Sequence, residues 1–332
     1  MMNTTNVQGK NEEIYSDLLE PAMTGPLKYT LMNDFLAKYS LQNDLYALGG
    51  LLGALLHIDP ESITAIQILN PVEPGSVITD KNCVLDIKLE LNGMEIINIE
   101  IQTRRQDFWP ERSLTYLCRN FDHLKEGESY LNIKPCIQIG ILDNDLFKKE
   151  DPRYTDEFFV EYKLLSTSKH TAYTGKFQIK VLLLNHLNTA DEREKSTPNG
   201  LYFWAKLFKA QSWEDLKMIA KDNPRMESFV GTVRKLTAEE KVALACEARR
   251  RYSNEIATYE GSIKDLEKRE QEALNRLEEA QNREKEANSR AEEANSRAEE
   301  TLLRLEEVKR KAEAERQELL ARIAQLQKEQ NS

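Results

Sequence analysis

Residues 83–102, CVLDIKLELNGMEIINIEIQ, leave this chain the least freedom. On both sides of Asn92-Gly93 apolar and polar residues alternate. That period of two puts each kind on its own face only if the backbone is extended. Asn-Gly between two such runs is the strongest short-range hairpin signal, because a type I′ two-residue turn needs positive φ at both positions. The outgoing strand is expected over 84–91 and the return strand over 96–102. In the return strand Ile97, Ile99 and Ile101 face one way, and Asn98, Glu100 and Gln102 the other. A two-residue turn pairs Leu91 with Met94, which sets Asp86 near Ile99 and diagonal to Glu100, within reach of a shared ion.

The segments on either side supply layers for this hairpin. Residues 1–25 are polar, with a short helix expected over 12–19. A helix begins near Thr30 or Asn33, either of which can cap it, and turns Phe35, Leu36 and Tyr39 inward. A second helix runs from about 44 to 56 with Leu48, Leu51, Leu52, Leu55 and Leu56 as its apolar stripe. Its glycines Gly49, Gly50 and Gly53 lower helix propensity but permit close packing. A strand is expected over 63–69, and an amphipathic helix over 110–124. That helix turns Leu114, Leu117, Phe121 and Leu124 to the core and Arg112, Tyr116, Arg119 and His123 away from it. Residues 136–142, CIQIGIL, read as a central buried strand. Further strands follow over 157–165 and 177–184. Helix, strand, hairpin, helix and strand in that order make an α/β core with a mixed sheet. Residues 26–189 form this domain, 190–252 a helical extension, and 253–332 a tail. Thr237 to Glu240 reads as a capping box opening the last helix.

Charge is distributed unevenly. The chain's 332 residues carry a net charge of −10. Residues 1–189 hold 18 Lys/Arg against 26 Asp/Glu, a net of −8, so the globular part is acidic. That argues against indiscriminate nucleic-acid binding but suits uptake of a divalent cation. The four cysteines, Cys83, Cys118, Cys136 and Cys246, have no CxxC spacing and read as buried free thiols of a reducing cytoplasm. None of the four histidines is spaced for zinc. No apolar run approaches the ~18 residues of a membrane span, and no signal h-region opens the chain.

The tail repeats itself. ANSRAEE occupies 287–293 and again 294–300, and Arg276, Arg283, Arg290, Arg297 and Arg304 recur every seven residues. A seven-residue period points to a left-handed coiled coil and hence a homo-oligomer. The seam joins Ala273, Ala280, Ala287, Ala294 and Thr301 to Leu277, Glu284, Ala291, Ala298 and Leu305. Alanine buries little area, so the middle of this seam is weak. The other reading is a single solvated helix held by i,i+4 charge pairs.

Asp86, Glu100 and Gln102 are the residues with chemical potential. Two carboxylates on adjacent strands can hold a Mg²⁺-type ion that keeps several waters. Such an ion activates water and offsets charge on a phosphate under attack. Gln102, two residues beyond Glu100, points to the same face and can orient water or phosphate as a neutral donor and acceptor. The plain alternative is a solvated strand face.

The spacing D-x(13)-E-x-Q resembles the PD-(D/E)XK nuclease superfamily in a form with glutamine at the lysine position. More closely, the chain resembles the Rpn recombination-promoting nucleases, also described as PD-(D/E)XK family transposases. The residues that carry the likeness are 26–35 (PLKYTLMNDF), 68–74 (ILNPVEP), 84–86, 98–102 (NIEIQ), 109–116 (WPERSLTY) and 236–249 (LTAEEKVALACEAR). The resemblance implies a restriction-endonuclease-like αβββαβ core and a metal-dependent DNA endonuclease using Mg²⁺ or another divalent cation. It implies Asp86 and Glu100 as metal ligands, Gln102 in the lysine place, and Asp34 as an additional acidic contributor. For Asp34, helix capping is the competing role. Arg104, Arg105, Arg112, Tyr116 and Arg119 lie where they can grip the backbone of double-stranded DNA, or form an ordinary solvated face. Two other functions suit the same residues. One is a catalytically weak DNA-binding or regulatory protein, and the other a coiled-coil assembly protein.

Overall fold

Seven strands build one mixed sheet in the computed structural model, which describes residues 5–6, 23–79, 86–103 and 108–330. They are β1 (Thr5–Asn6), β2 (Ala65–Ile68), β3 (Asp86–Leu91), β4 (Glu95–Gln102), β5 (Cys136–Leu142), β6 (Phe159–Lys163) and β7 (Phe177–Leu183). Their order across the sheet is β1-β2-β3-β4-β5-β7-β6. The middle strands β4, β5 and β7 run parallel, and the flanking pairings are antiparallel. The continuous apolar run of β5 is buried at every position, as a central strand with both faces covered requires. This is the α/β architecture expected from the order of the elements.

The helices are α1 (Asp34–Asn43), α2 (Leu45–Leu56), α3 (Pro74–Thr79), α4 (Trp109–Phe121), α5 (Glu192–Ser196), α6 (Leu201–Lys209), α7 (Trp213–Ala220), α8 (Pro224–Thr237) and α9 (Glu240–Gln330). One sheet face carries Ile87, Leu89, Ile97, Ile99, Ile101, Ile137, Ile139 and Ile141. It buries them in a single core with Phe35 and Leu36 of α1, Leu48, Leu51 and Leu52 of α2, Trp204 and Phe208 of α6, and Phe229 of α8. Each such side chain contributes about 1.5–3 kcal/mol of transfer free energy. Asn33 caps α1 by accepting from Leu36 N at 3.1 Å, and Asp44 caps α2 by accepting from Ala47 N at 3.0 Å. Gly50 matters for packing: a Cβ there would meet Arg225 Cδ at 2.9 Å and Trp204 Cζ2 at 3.1 Å, so glycine lets α2 approach α6 and α8.

The opposite face is covered by α4. Trp109 packs with Leu142, Leu146, Val181 and Leu183, while Leu117 packs with Ile96 and Cys136. The helix is rotated from the expected orientation. Its buried positions are Trp109, Ser113, Leu117 and Asn120, and Leu114 is exposed. The surface beneath it sets this orientation: Trp109 fills the space over Gly140, and Arg112 turns in to Glu100.

Three smaller expectations change. Cys118 is exposed, whereas Cys136 and Cys246 are buried; Cys83 lies outside the described residues, as does the expected helix over 12–19. No capping box forms at Thr237, whose hydroxyl donates back to Val233 O at 2.8 Å and ends α8. The strand over 63–69 shortens to β2, and that over 157–165 to β6.

The chain divides into two compact units, 1–255 and 256–332. The second unit is helical to 330, and its side chains over 257–324 are exposed. Its recurring arginines pair with glutamates one turn earlier: Arg283 with Glu279 (3.7 Å), Arg290 with Glu286 (3.5 Å), Arg297 with Glu293 (3.8 Å) and Arg304 with Glu300 (2.6 Å). Each exposed pair adds about 0.3–0.5 kcal/mol of helix stability. Within one chain, then, the seven-residue period supports a charge-paired helix, and its apolar residues Ile263, Leu266, Leu277, Leu305, Leu319 and Leu326 remain exposed. No helix among the described residues is long and apolar enough to cross a membrane.

Candidate active site

The β3–β4 hairpin turns one residue later than expected. Asn92 (φ 51) and Gly93 (φ 70) take left-handed conformations, and Met94 N donates to Leu91 O at 2.9 Å. The ladder nonetheless pairs Leu91 with Glu95, leaving Met94 outside it. Asn92 is engaged elsewhere. Its Oδ1 accepts from Thr64 N at 2.8 Å and Ala65 N at 3.0 Å, and its own amide donates to Ala65 O at 2.9 Å. Asn92 thereby caps the start of β2 and ties the turn to it. The shift of one residue sets Asp86 directly opposite Glu100 rather than beside Ile99. Directly opposed residues of an antiparallel pair put their side chains on the same face, with Cβ atoms ~4.5–5.5 Å apart. In the expected register the two carboxylates would have pointed to opposite faces.

Each carboxylate has its own surroundings. Asp86 opens β3 and is half-buried. Asn70 holds it, donating from Nδ2 to Asp86 Oδ1 at 3.2 Å, while Asn70 Oδ1 accepts from Lys88 N at 2.7 Å. Asn70 stands in the Asn-Pro step that closes β2. Its turn chemistry was legible, but its hold on Asp86 depends on a strand 16 residues further along. Glu100 lies inside β4, its side chain only 3% exposed. Arg112 Nε of α4 approaches Glu100 Oε1 to 3.0 Å. Even so, neither Glu100 oxygen accepts a hydrogen bond among the described residues, so the contact is charge against charge without alignment.

Burial pushes the Glu100 carboxyl above the usual carboxylate range; Arg112 pulls it back, and Asp86 raises it further. The sign follows from linkage. A carboxyl with a raised folded-state pKa contributes stability below its unfolded pKa and loses it as pH climbs through the folded one. In metal-free protein, Glu100→Gln is therefore expected to be the more stable chain at about pH 8, with the gap closing by about pH 4. Urea midpoints at the two pH values check this. A wild-type advantage at the higher pH would contradict it.

Around Glu100 the sheet is shaped by two further features. Gly140 of β5 stands opposite it, and the indole of Trp109 fills the space a side chain would take there. Asn98 Nδ2 donates to Gln138 Oε1 at 3.0 Å, a buried amide pair one step further along the same face. Gln102 ends β4 on that face, half-buried, and its carbonyl accepts from Asp143 N at 3.0 Å.

The remaining candidates scatter. Asp34 is the first residue of α1 and does not join the other two carboxylates. Among the described residues no group of three or more His, Cys, Asp or Glu side chains is placed to hold a metal. Asp34 instead forms a two-point ion pair with Arg249 of α9, Nε to Oδ1 at 2.8 Å and NH2 to Oδ2 at 2.6 Å. Asn33, not Asp34, caps the helix. Arg112 and Tyr116 lie together, the guanidinium carbon 5.3 Å from the ring centre, with Arg112 turned toward Glu100 rather than away from the sheet. Arg119 is exposed. Arg104 and Arg105 lie outside the described residues. His123 Nδ1 sits 3.1 Å from Asn120 O, a local turn contact.

The donors are all oxygen: two opposed carboxylates, one of them buried with its oxygens unsatisfied, and a nearby amide. Hard divalent cations such as Mg²⁺ bind through one or two carboxylates and keep waters in their other positions, so the set fits such an ion. It does not fit zinc, which prefers nitrogen and sulfur. In comparisons with known proteins, the model of the PD-(D/E)XK nuclease family transposase matches residues 32–260. No curated protein and no solved structure matches the chain.

Proposed function

Since the chain belongs to the PD-(D/E)XK nuclease family of transposases, we propose that it is a metal-dependent DNA endonuclease of the recombination-promoting kind, hydrolysing phosphodiester bonds of double-stranded DNA. The observation that carries this reading is the pairing of Asp86 with Glu100 on one sheet face, with the Glu100 oxygens buried and unsatisfied. Asp86 and Glu100 would hold Mg²⁺ or a similar cation. When bound, such an ion lowers the pKa of water and offsets the charge that builds on the phosphate. Asn70 keeps the Asp86 carboxylate in place. Gln102 orients the attacking water or a phosphate oxygen, as a neutral donor where a lysine would bring charge. Arg112 with Tyr116 beside it, Arg119, and Arg104 and Arg105 next in sequence after β4 would supply phosphate contacts.

Supercoiled plasmid incubated with the protein and Mg²⁺ or Mn²⁺ is expected to be nicked or linearised, and EDTA to stop it. Absence of any metal-dependent cutting, with DNA still bound, would favour the regulatory reading, which Gln102 in the lysine place also supports. The heptad seam of the tail is proposed to join two chains, giving two sites for the two strands of a duplex. Truncation after Glu260 is then expected to lower the sedimenting mass to that of a monomer; an unchanged oligomeric state would remove the tail from this role.

A further inference from the structure

We propose that Arg112 is the resident counter-ion of Glu100, standing where a divalent cation enters, and that entry of the cation releases its guanidinium toward the substrate phosphate. The proposal rests on the nuclease reading and adds an ordered coupling to it: metal first, then a firmer grip on DNA.

Three observations lead here. Glu100 is buried, yet its oxygens accept no hydrogen bond among the described residues. A buried carboxylate without hydrogen bonds is retained only if a charge stands beside it or it becomes protonated. The Arg112 side chain is that charge, with Nε 3.0 Å from Oε1 and the side chain 28% exposed. Arginine normally meets a carboxylate through two parallel, aligned hydrogen bonds. Asp34 and Arg249 show that arrangement in this same protein, with contacts of 2.6 and 2.8 Å. The Arg112–Glu100 contact lacks it: the Nε–H is not aligned on either Glu100 oxygen.

The second observation is the geometry of exit. Arg112 is near the start of α4, and Tyr116 stands one turn further along the same helix. The guanidinium carbon already lies 5.3 Å from the Tyr116 ring centre. A planar cation is favoured over an aromatic face, so the Tyr116 ring still favours the guanidinium once its contact with Glu100 is given up. The third is electrostatic. A divalent ion shared by Asp86 and Glu100 carries twice the charge of Arg112 and repels it at short range. Glu100 exchanges one cation for another, and Arg112 becomes available to a phosphate at the moment the site is ready for one.

Two measurements on the full chain test this without reading activity. In the first, Mn²⁺ binding is followed by calorimetry in wild type, Arg112→Gln, Arg112→Lys and Glu100→Gln. Removing the competing charge is expected to tighten Mn²⁺ binding about tenfold in Arg112→Gln, which corresponds to ~1.4 kcal/mol, and less in Arg112→Lys. Unchanged affinity in a folded Arg112→Gln, with wild type still binding at a site lost in Glu100→Gln, overturns the counter-ion role alone. If wild type and Glu100→Gln bind Mn²⁺ alike or not at all, the metal-site reading itself fails and the proposal with it. In the second, which needs no variant to fold, the arginine Nε–H resonances of wild type are followed by NMR as Mg²⁺ is added. The Arg112 signal is expected to shift and lose protection from exchange with water, and a signal unmoved at saturating Mg²⁺ overturns the release step.

Discussion

Glu100→Gln and Asp86→Asn are each expected to lower metal-dependent nicking of supercoiled plasmid by about 10³-fold, close to 4 kcal/mol of transition-state stabilisation. Both substitutions keep the shape of the side chain and remove only its charge. For Glu100 the effect on folding is expected to be small or favourable at neutral pH, because the charge is the part of that side chain the fold does not satisfy with hydrogen bonds. Asp86 keeps Asn70 as a hydrogen-bond partner after conversion to the amide, since one oxygen remains to accept from Nδ2. Loss of activity with an unchanged melting temperature therefore isolates metal binding from stability. Wild-type nicking by either variant would remove that residue from the site.

Gly140→Ala is expected to cost about 2–3 kcal/mol of stability, through overpacking. For a unit of this size that lowers the melting temperature by roughly 4–10 °C. A Cβ on residue 140 would lie 2.3 Å from Trp109 Cζ2 and 2.8 Å from Cη2. The indole has nowhere to retreat, because Leu142, Leu146, Val181 and Leu183 enclose it. Residue 140 cannot give way either, since β5 is paired on both sides by β4 and β7. The strain falls on the docking of α4, and Arg112 is carried on that helix. Gly140→Ala should thus disturb metal binding as well as folding. Combining it with Trp109→Leu, which vacates the space over Gly140, should cost less than the sum of the two single changes. Strict additivity, or a neutral Gly140→Ala, would show that the indole does not depend on the missing side chain.

The alternation of isoleucines with Asn98, Glu100 and Gln102 is enough to place these three polar residues on a common strand face, because a period of two admits no other assignment. The apolar run 136–142 marked a central strand in the same way, and the likeness of several short motifs pointed to the nuclease family that the family match bears out. The register was not legible. Whether Asp86 meets Glu100 depends on the length of the turn, and in the fold that turn is held by Asn92 accepting from Thr64, 28 residues earlier. Nor was the orientation of α4, since leucine spacing proposes a face but Gly140 and Glu100 decide which face can dock.

Local pattern in this chain thus determined which stretches become strand or helix and which residues share a strand face, because those follow from backbone periodicity. Tertiary structure alone decided which charges meet. Asp34 is claimed by Arg249, 215 residues away, and Glu100 by Arg112 across a helix–sheet contact. Ion pairs act over a few ångströms in space regardless of separation along the chain, so a motif can nominate a carboxylate but the fold chooses its partner.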